Sequence, residues 1–324
     1  MKPRCICSGI LFADIACWPI DHLPVEGELV QTEKIELNLG GCASNVALDL
    51  SRMNVPVYLS GCVGDDALSD FIMNSVSAPG VDCSMLRRIT NSCPGTAMHI
   101  NVQGQDRRFI CTTGANDEYR IGDEIERILA DPEYSKDEAK VFYIGGFLML
   151  KSLENEQTPK ILQKAQQLGW KTVFDVVLYE NRPYWNAVKP FLPYVDIFMP
   201  NDLEGEKITG QKTAVEQAKF FLDHGVKAAV ITQGELGTLY YSESLKFQSD
   251  IYTVDFVSGA GAGDAFLAGY IAALLENHEP RECVKWGSAL GASCVRGVST
   301  IGSVFTKPEM LDFILANELR STEL

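Results

Sequence analysis

The sequence predicts an α/β fold in which a mostly parallel central sheet carries helices on both faces and a small β-sheet lid. Short apolar runs of strand length alternate with helix-length amphipathic segments along most of the chain. Two strand-rich stretches, at about 12–38 and 95–113, break that rhythm, and a glycine-rich turn at 257–264 joins a strand to a helix. Parallel strands need a crossover of a dozen or more residues, usually a helix, so strict alternation implies a sheet buried on both sides.

Taken in order, residues 4–11 form an apolar run that suits a buried strand, and 43–53 place apolar side chains at 46, 47, 50 and 53, a helical spacing. Strands follow at 57–63, 141–144, 172–175, 197–199 and 228–232. Helices are predicted at 66–76, 158–168, 214–223, 264–276 and 281–295. Residues 96–102 and 107–111, separated by Gly104, read as a hairpin. With no internal repeat, low-complexity tract or linker, the expectation is a single domain over 1–324, with the lid inserted in it.

The chain has 324 residues, 46% of them hydrophobic, which is ample for one large core. A formal charge of −15, from 28 basic and 43 acidic residues, repels a polyphosphate backbone, so nucleic acid is not an expected partner. No run approaches the roughly 18 apolar residues of a membrane span, and the N-terminus shows no signal-peptide pattern. A cytoplasmic protein without a membrane partner is expected. The ten cysteines include no C-x-x-C pair and the four histidines are scattered, so reduced packing cysteines are expected rather than a zinc or disulfide framework.

The sharpest local feature is Val257-Ser258-Gly259-Ala260-Gly261-Ala262-Gly263-Asp264-Ala265-Phe266. Glycines opening a helix collect free backbone amides and let an anion approach, which suits a phosphate. A carboxylate at that mouth repels phosphate unless it has another task. Asp264 is therefore a candidate general base for an attacking hydroxyl, with a plain helix cap as the alternative. Neither G-x-x-x-x-G-K-S/T nor a G-x-G-x-x-G after the first strand is present, which disfavours P-loop ATPases and Rossmann dehydrogenases.

Gly261-Ala262-Gly263-Asp264-Ala265-Phe266 resembles the C-terminal signature of the PfkB (ribokinase-like) carbohydrate kinases. Other matches keep the family's order: Asp14 after the first strand, Leu39-Gly40-Gly41-Cys42-Ala43-Ser44-Asn45, Val63-Gly64-Asp65-Asp66, Thr113-Gly114-Ala115-Asn116, Pro200-Asn201-Asp202-Leu203-Glu204 and Thr232-Gln233-Gly234-Glu235-Leu236-Gly237. They run from about residue 8 to 300.

The resemblance implies a ribokinase-like fold and an ATP- and Mg2+-dependent transfer of the γ-phosphate to a sugar hydroxyl. Asp264 would be the base, with Gly261, Ala262 and Gly263 as the anion cradle. Asp14, Gly40, Gly41, Asn45 and Asn116 would bind the substrate. Asn201, Thr232, Gly234, Gly237, Gly261 and Gly263 would serve the nucleotide, and Glu204 the metal through water. Asn-x-x-Glu at 201–204 is also close to a capping box, and the two roles are compatible. The small-residue segment 288–297 suits either an adenine wall or a core helix.

Departures from the family pattern qualify this. Ser258, Gly259 and Ala260 replace a segment that often holds an aspartate for a monovalent cation, which puts K+ activation in doubt. Asp175-Val176-Val177 replaces the frequent D-x-N, and Ala67-Leu68-Ser69 lacks the usual aromatic-glycine pair. Paired arginines at 87–88 and 107–108 read as solvated or structural rather than as an anion clamp. A neutral sugar, phosphorylated at a CH2OH group, is the favoured acceptor. A nucleoside and, in another class, a non-catalytic sugar- or nucleotide-binding regulator are the rivals, and a homodimer through the lid is left open.

Overall fold

The computed structural model describes residues 2–78, 80–104, 108–134, 138–179, 182–297 and 300–324. It opens on β1 (Cys5–Gly9), all five residues of which are buried. Strands β2 (Phe12–Cys17) and β3 (Ile35–Gly40) precede α1 (Cys42–Arg52), β4 (Val57–Val63), α2 (Ala67–Val76) and β5 (Val81–Arg88). Next come β6 (Gly95–Ile100), β7 (Arg108–Thr112), α3 (Asp123–Leu129), β8 (Val141–Gly145), α4 (Gln157–Gln167), β9 (Lys171–Phe174), α5 (Tyr184–Val188), β10 (Ile197–Phe198), α6 (Asp202–Thr209), α7 (Ala214–Asp223) and β11 (Ala228–Thr232). The chain ends with β12 (Thr238–Ser242), β13 (Lys246–Ser249), α8 (Ala262–Leu275), α9 (Pro280–Cys294), α10 (Lys307–Ala316) and β14 (Ser321–Glu323).

Ten strands form the main sheet in the order β14-β13-β12-β11-β10-β9-β8-β1-β4-β5, parallel from β11 to β5 and antiparallel at the β12–β14 edge. Alternation along each strand divides the core. Cys5, Cys7, Val57, Leu59, Val141 and Tyr143 face one apolar layer, whereas Ile6, Phe142 and Ile144 face the other. Helices α8 and α9 pack closely because Gly269 lies against the Trp286 carbonyl and Gly287 against that of Phe266, where a Cβ would stand 2.6 and 2.7 Å from those oxygens.

The lid is a separate four-stranded sheet, β3-β2-β6-β7. Its register puts Asp14 beside Asn38 and Ala97, Ala16 beside His99, Ala97 beside Cys111, and His99 beside Phe109. Cross-strand partners share a face and alternate residues along a strand share one too, so Asp14, Asn38, His99, Phe109 and Cys111 lie on one side. Ile15, Leu37, Met98 and Ile110 lie on the other.

The mostly parallel sheet with helices and a small second sheet is the expected architecture. Within the expected lid stretches the strands are shorter. Residues 18–34 contribute only an isolated bridge, Ile20 to Val102, and β3 runs on to Gly40. The tip of the hairpin, including Arg107, lies outside the described residues. Among the described residues no helix is long and apolar enough to cross a membrane, and all ten cysteines are free.

Candidate active site

Helix α8 begins where the glycine turn delivers it. Gly261, at φ 79°, is its N-cap, and a Cβ there would stand 2.8 Å from the Thr300 Cα, so both the left-handed backbone and the close approach demand glycine. The first intrahelical bond, from the Ala265 amide to the Gly261 carbonyl at 2.9 Å, leaves the amides of Gly263 and Asp264 ahead of it. Nothing lies within 4 Å of where a Cβ on Gly263 would stand, so this face of the turn is open to a ligand.

Asp264 is not the helix cap. No side chain caps α8, and Asp264 Oδ2 accepts a 2.8 Å hydrogen bond from Asn45 Nδ2 on α1. Asn45 is 2% exposed, and its Oδ1 has no partner among the described residues. Loss of water pushes the Asp264 carboxyl up. Hydrogen bonds from Asn45 and Cys42 oppose the rise, and the Asp14 charge adds to it.

Two further groups, Cys42 at the start of α1 and Asp175 just after β9, have ligand atoms within 4.8 Å of each other and of an Asp264 oxygen. Asp175 Oδ2 accepts from the Tyr143 hydroxyl at 2.8 Å and Oδ1 from the Gly146 amide at 2.5 Å. Burial and then the Asp264 charge raise its pKa well above the carboxylate range, and burial followed by the Asp175 charge does the same to the Cys42 thiol. Sequence reading noted Asp175 only as a departure and Cys42 only as a packing residue. The signals present were a carboxylate at a buried strand end and a thiol beside two glycines.

Glu204 lies in the first turn of α6. Asn201 Oδ1 accepts the Glu204 amide at 2.8 Å and Glu204 Oε2 accepts the Asn201 amide at 2.9 Å, a complete capping box. The Glu204 carboxyl is pushed up to about 8, chiefly by burial and further by the Asp264 charge. No lysine or arginine among the described residues pairs with Asp175, Glu204 or Asp264, so the negative cluster is uncompensated within the protein. Glu204 is an oxygen ligand placed where a hard cation would relieve that charge.

On the lid side, Asp14 is 6% exposed, and Gly40 leaves the room its carboxylate occupies, since a Cβ there would collide with it. Gly41, at φ 94°, approaches the Ile10 carbonyl too closely for any side chain. Thr232 ends β11 beside Asn201, to which it is bridged, and Gly234 follows at φ 55° with open space around its Cβ direction. Gly237 has a backbone reason of its own, because a Cβ would collide with the Ser249 carbonyl of β13.

Asn116, expected to bind the substrate, has its side-chain amide bonded within the protein. It is fully buried, its Nδ2 donates to the carbonyls of Leu11 and Thr113 at 2.9 and 3.0 Å, and its Oδ1 accepts the Leu11 amide at 3.0 Å. Its amide brackets Leu11, in the link from β1 to β2, and also bonds Thr113 of its own turn, so Asn116 holds the strand that carries Asp14. The segment 288–297 is largely the end of α9, with Ala289, Leu290 and Ser293 buried in the core.

A mostly parallel sheet whose carboxyl edge meets a glycine-opened helix with an aspartate in its first turn, beside a small second sheet, is an arrangement that suits a small-molecule kinase. The profile of the pfkB family carbohydrate kinases matches residues 2–307, and the chain belongs to that family. It is 25% identical to a ribokinase of Haemophilus influenzae over 91% of this chain and 93% of that protein. It is 28% identical to a 5-dehydro-2-deoxygluconokinase of Clostridium perfringens over 91% of this chain and 90% of that one. Among solved structures, the Arabidopsis thaliana ribokinase complexed with ribose and ATP superposes with a TM-score of 0.82 at 22% identity, covering 96% and 98% of the two chains. A putative ribokinase II from E. coli in complex with ATP and Mg2+ gives 0.79 at 22% identity, over 98% and 100%.

Proposed function

We propose that this kinase moves the γ-phosphoryl group of ATP to the CH2OH group of a neutral sugar, with Asp264 as general base. The observation that carries the reading is the placement of Asp264. Its carboxylate is released from capping its own helix and held by Asn45 Nδ2, beside the unobstructed amides of Gly263 and Asp264. Burial raises its pKa and so its basicity, which suits removal of a hydroxyl proton. The orphaned, buried Asn45 Oδ1 fits a hydroxyl donor from the substrate.

Bound ATP supplies the transferable phosphoryl group, and Mg2+ held through Glu204 offsets its charge. The chain's own residues do the rest. Asp14, with Gly40 and Gly41 giving access, grips the sugar from the lid side. Asn45 orients the Asp264 carboxylate. The α8 amides meet the developing negative charge, and Gly261 and Ala262 set their direction. Asn201, Thr232 and Gly234 stand where the nucleotide would lie, and Gly237 shapes their loop.

Activity without potassium fits this site, because Ser258 Oγ accepts the Ala260 amide at 3.3 Å where a cation-binding carboxylate would be required. The outer lid face leaves Ile35, Met98 and Ile110 at 66%, 48% and 61% exposure, a surface suited to a second copy of this chain. Sedimentation of the protein, alone and with Ile110→Glu, tests that.

The deciding experiment is ATP consumption against a panel of sugars and nucleosides. Turnover with a neutral sugar supports the reading, turnover confined to nucleosides favours a nucleoside kinase, and tight ATP binding with silence across the panel leaves a non-catalytic regulator.

A further inference from the structure

One polar group in the lid belongs to no assigned role. His99, on β6, directs its Nε2 to within 3.4 Å of Asp14 Oδ2, and its side chain is only 12% exposed. The contact arises from register. β2 and β6 run parallel with Asp14 opposite Ala97 and Ala16 opposite His99, so the imidazole reaches diagonally over two small residues toward the carboxylate. From β7, the Phe109 ring stands edge-on to the imidazole, with centroids 4.6 Å apart and planes at 77°, which fixes the ring's orientation.

We propose that His99 is a specificity-determining residue that reads, together with Asp14, one secondary hydroxyl of the acceptor sugar. The inference rests on the sugar-kinase reading above and adds to it the class of sugar taken. The 3.4 Å gap is at the long limit of a hydrogen bond, so the pair keeps unspent capacity. A carboxylate only accepts, whereas an imidazole nitrogen that carries a proton donates. A hydroxyl between them donates its proton to Asp14 Oδ2 and accepts from His99 Nε2, and no other common substituent does both. A hydrogen in that place leaves the two groups with only their long 3.4 Å contact, and a carboxylate or phosphate sets its charge against Asp14. The site thus favours a fully hydroxylated neutral sugar over deoxy or acidic analogues, in the way a site built to bond a hydroxyl rejects the analogue lacking it. His99 contacts Asp14, whereas Asp264 is held by Asn45, so His99 acts on binding rather than on the chemical step.

The test compares wild type, His99→Leu and His99→Gln with D-ribose and D-fructose and their monodeoxy analogues, at saturating ATP. The expected result is a KM for the better parent sugar raised at least tenfold in His99→Leu with kcat held within about threefold. Discrimination against one monodeoxy analogue should collapse toward unity, and His99→Gln, which retains a donor, should restore part of it. A purely structural role would instead lower kcat and raise KM for parent and deoxy sugars alike, and that outcome, or an unchanged KM, overturns the proposal while leaving the kinase reading intact. Failure of the wild-type protein to phosphorylate any neutral sugar of the panel removes the reading and this inference together.

Discussion

Asn45 Nδ2 donates to Asp264 Oδ2 across 2.8 Å, joining residues 219 positions apart in the chain. The bond ties the start of α1 to the start of α8, so the two glycine-led helix mouths, 40–41 and 261–263, are aligned on one point. A carboxylate at a helix N-terminus ordinarily turns to its own first-turn amides. Here a side-chain amide from elsewhere holds it outward, and the amides stay free for an anion.

Replacing Asp264 by Asn keeps the volume and removes the proposed base. Phosphoryl transfer should fall by about 10²–10⁴-fold, the usual contribution of a general base, while ATP binding measured by calorimetry stays within a few-fold. Undiminished turnover would remove Asp264 from the reaction.

How legible this was depends on the kind of signal. The buried parallel strands were plain, because β4 and β11 are short, mostly apolar segments and α7 is strongly amphipathic. Strand β5 was not read, since its mixed exposure carries neither a run nor clean alternation, and β14 is three exposed residues that only pairing with β13 makes a strand. The site was legible wherever glycine was needed for backbone reasons. Asp175 and His99 were opaque because their meaning lies in what faces them, and the motif position of Asn116 did not show that its amide bonds Leu11.

The Asn45 bond lowers the Asp264 pKa, against the larger upward effect of burial. Asn45→Ala should therefore raise that pKa, keep the base protonated to higher pH and move the acid limb of the kcat profile upward. An acid limb that stays in place, or moves down, would show that Asp264 is not the group titrating.

The two glycines of the turn should separate stability from binding. Gly261→Ala meets a left-handed backbone and the Thr300 Cα, and should cost about 1–3 kcal/mol in denaturant unfolding. Gly263→Ala has open space and a helical position, where alanine is favoured by about 1 kcal/mol. Its stability should hold or rise, yet KM for ATP should increase tenfold or more because the new methyl group stands in the anion cradle. Equal affinity for ATP in Gly263→Ala would place the phosphates elsewhere.

The buried acids set a pH dependence whose sign follows from the direction of their shifts. Glu204, Asp175, Asp49 and Asp264 are all raised, chiefly by burial, so the folded protein holds these protons more tightly than the unfolded chain. Their stabilising effect is complete at low pH and is lost as pH rises from the unfolded carboxylate range through the folded values, for Glu204 from 4.5 to about 8. The acids lowered by partners, Glu28, Glu36, Asp131, Glu206 and Glu309, sit in solvent and act below that window. The nucleotide-free protein should thus melt at a lower temperature at pH 8 than at pH 5.5. Asp49→Asn, which removes a fully buried carboxyl that lies 3.5 Å from Arg52 and also feels the Asp264 charge, should flatten part of that slope. Mg2+ with ATP should recover most of the loss at pH 8, because the cation binds the ionised Glu204. Scanning calorimetry at the two pH values decides it, and a melting temperature that rises with pH would mean that these carboxyls are compensated in the fold after all.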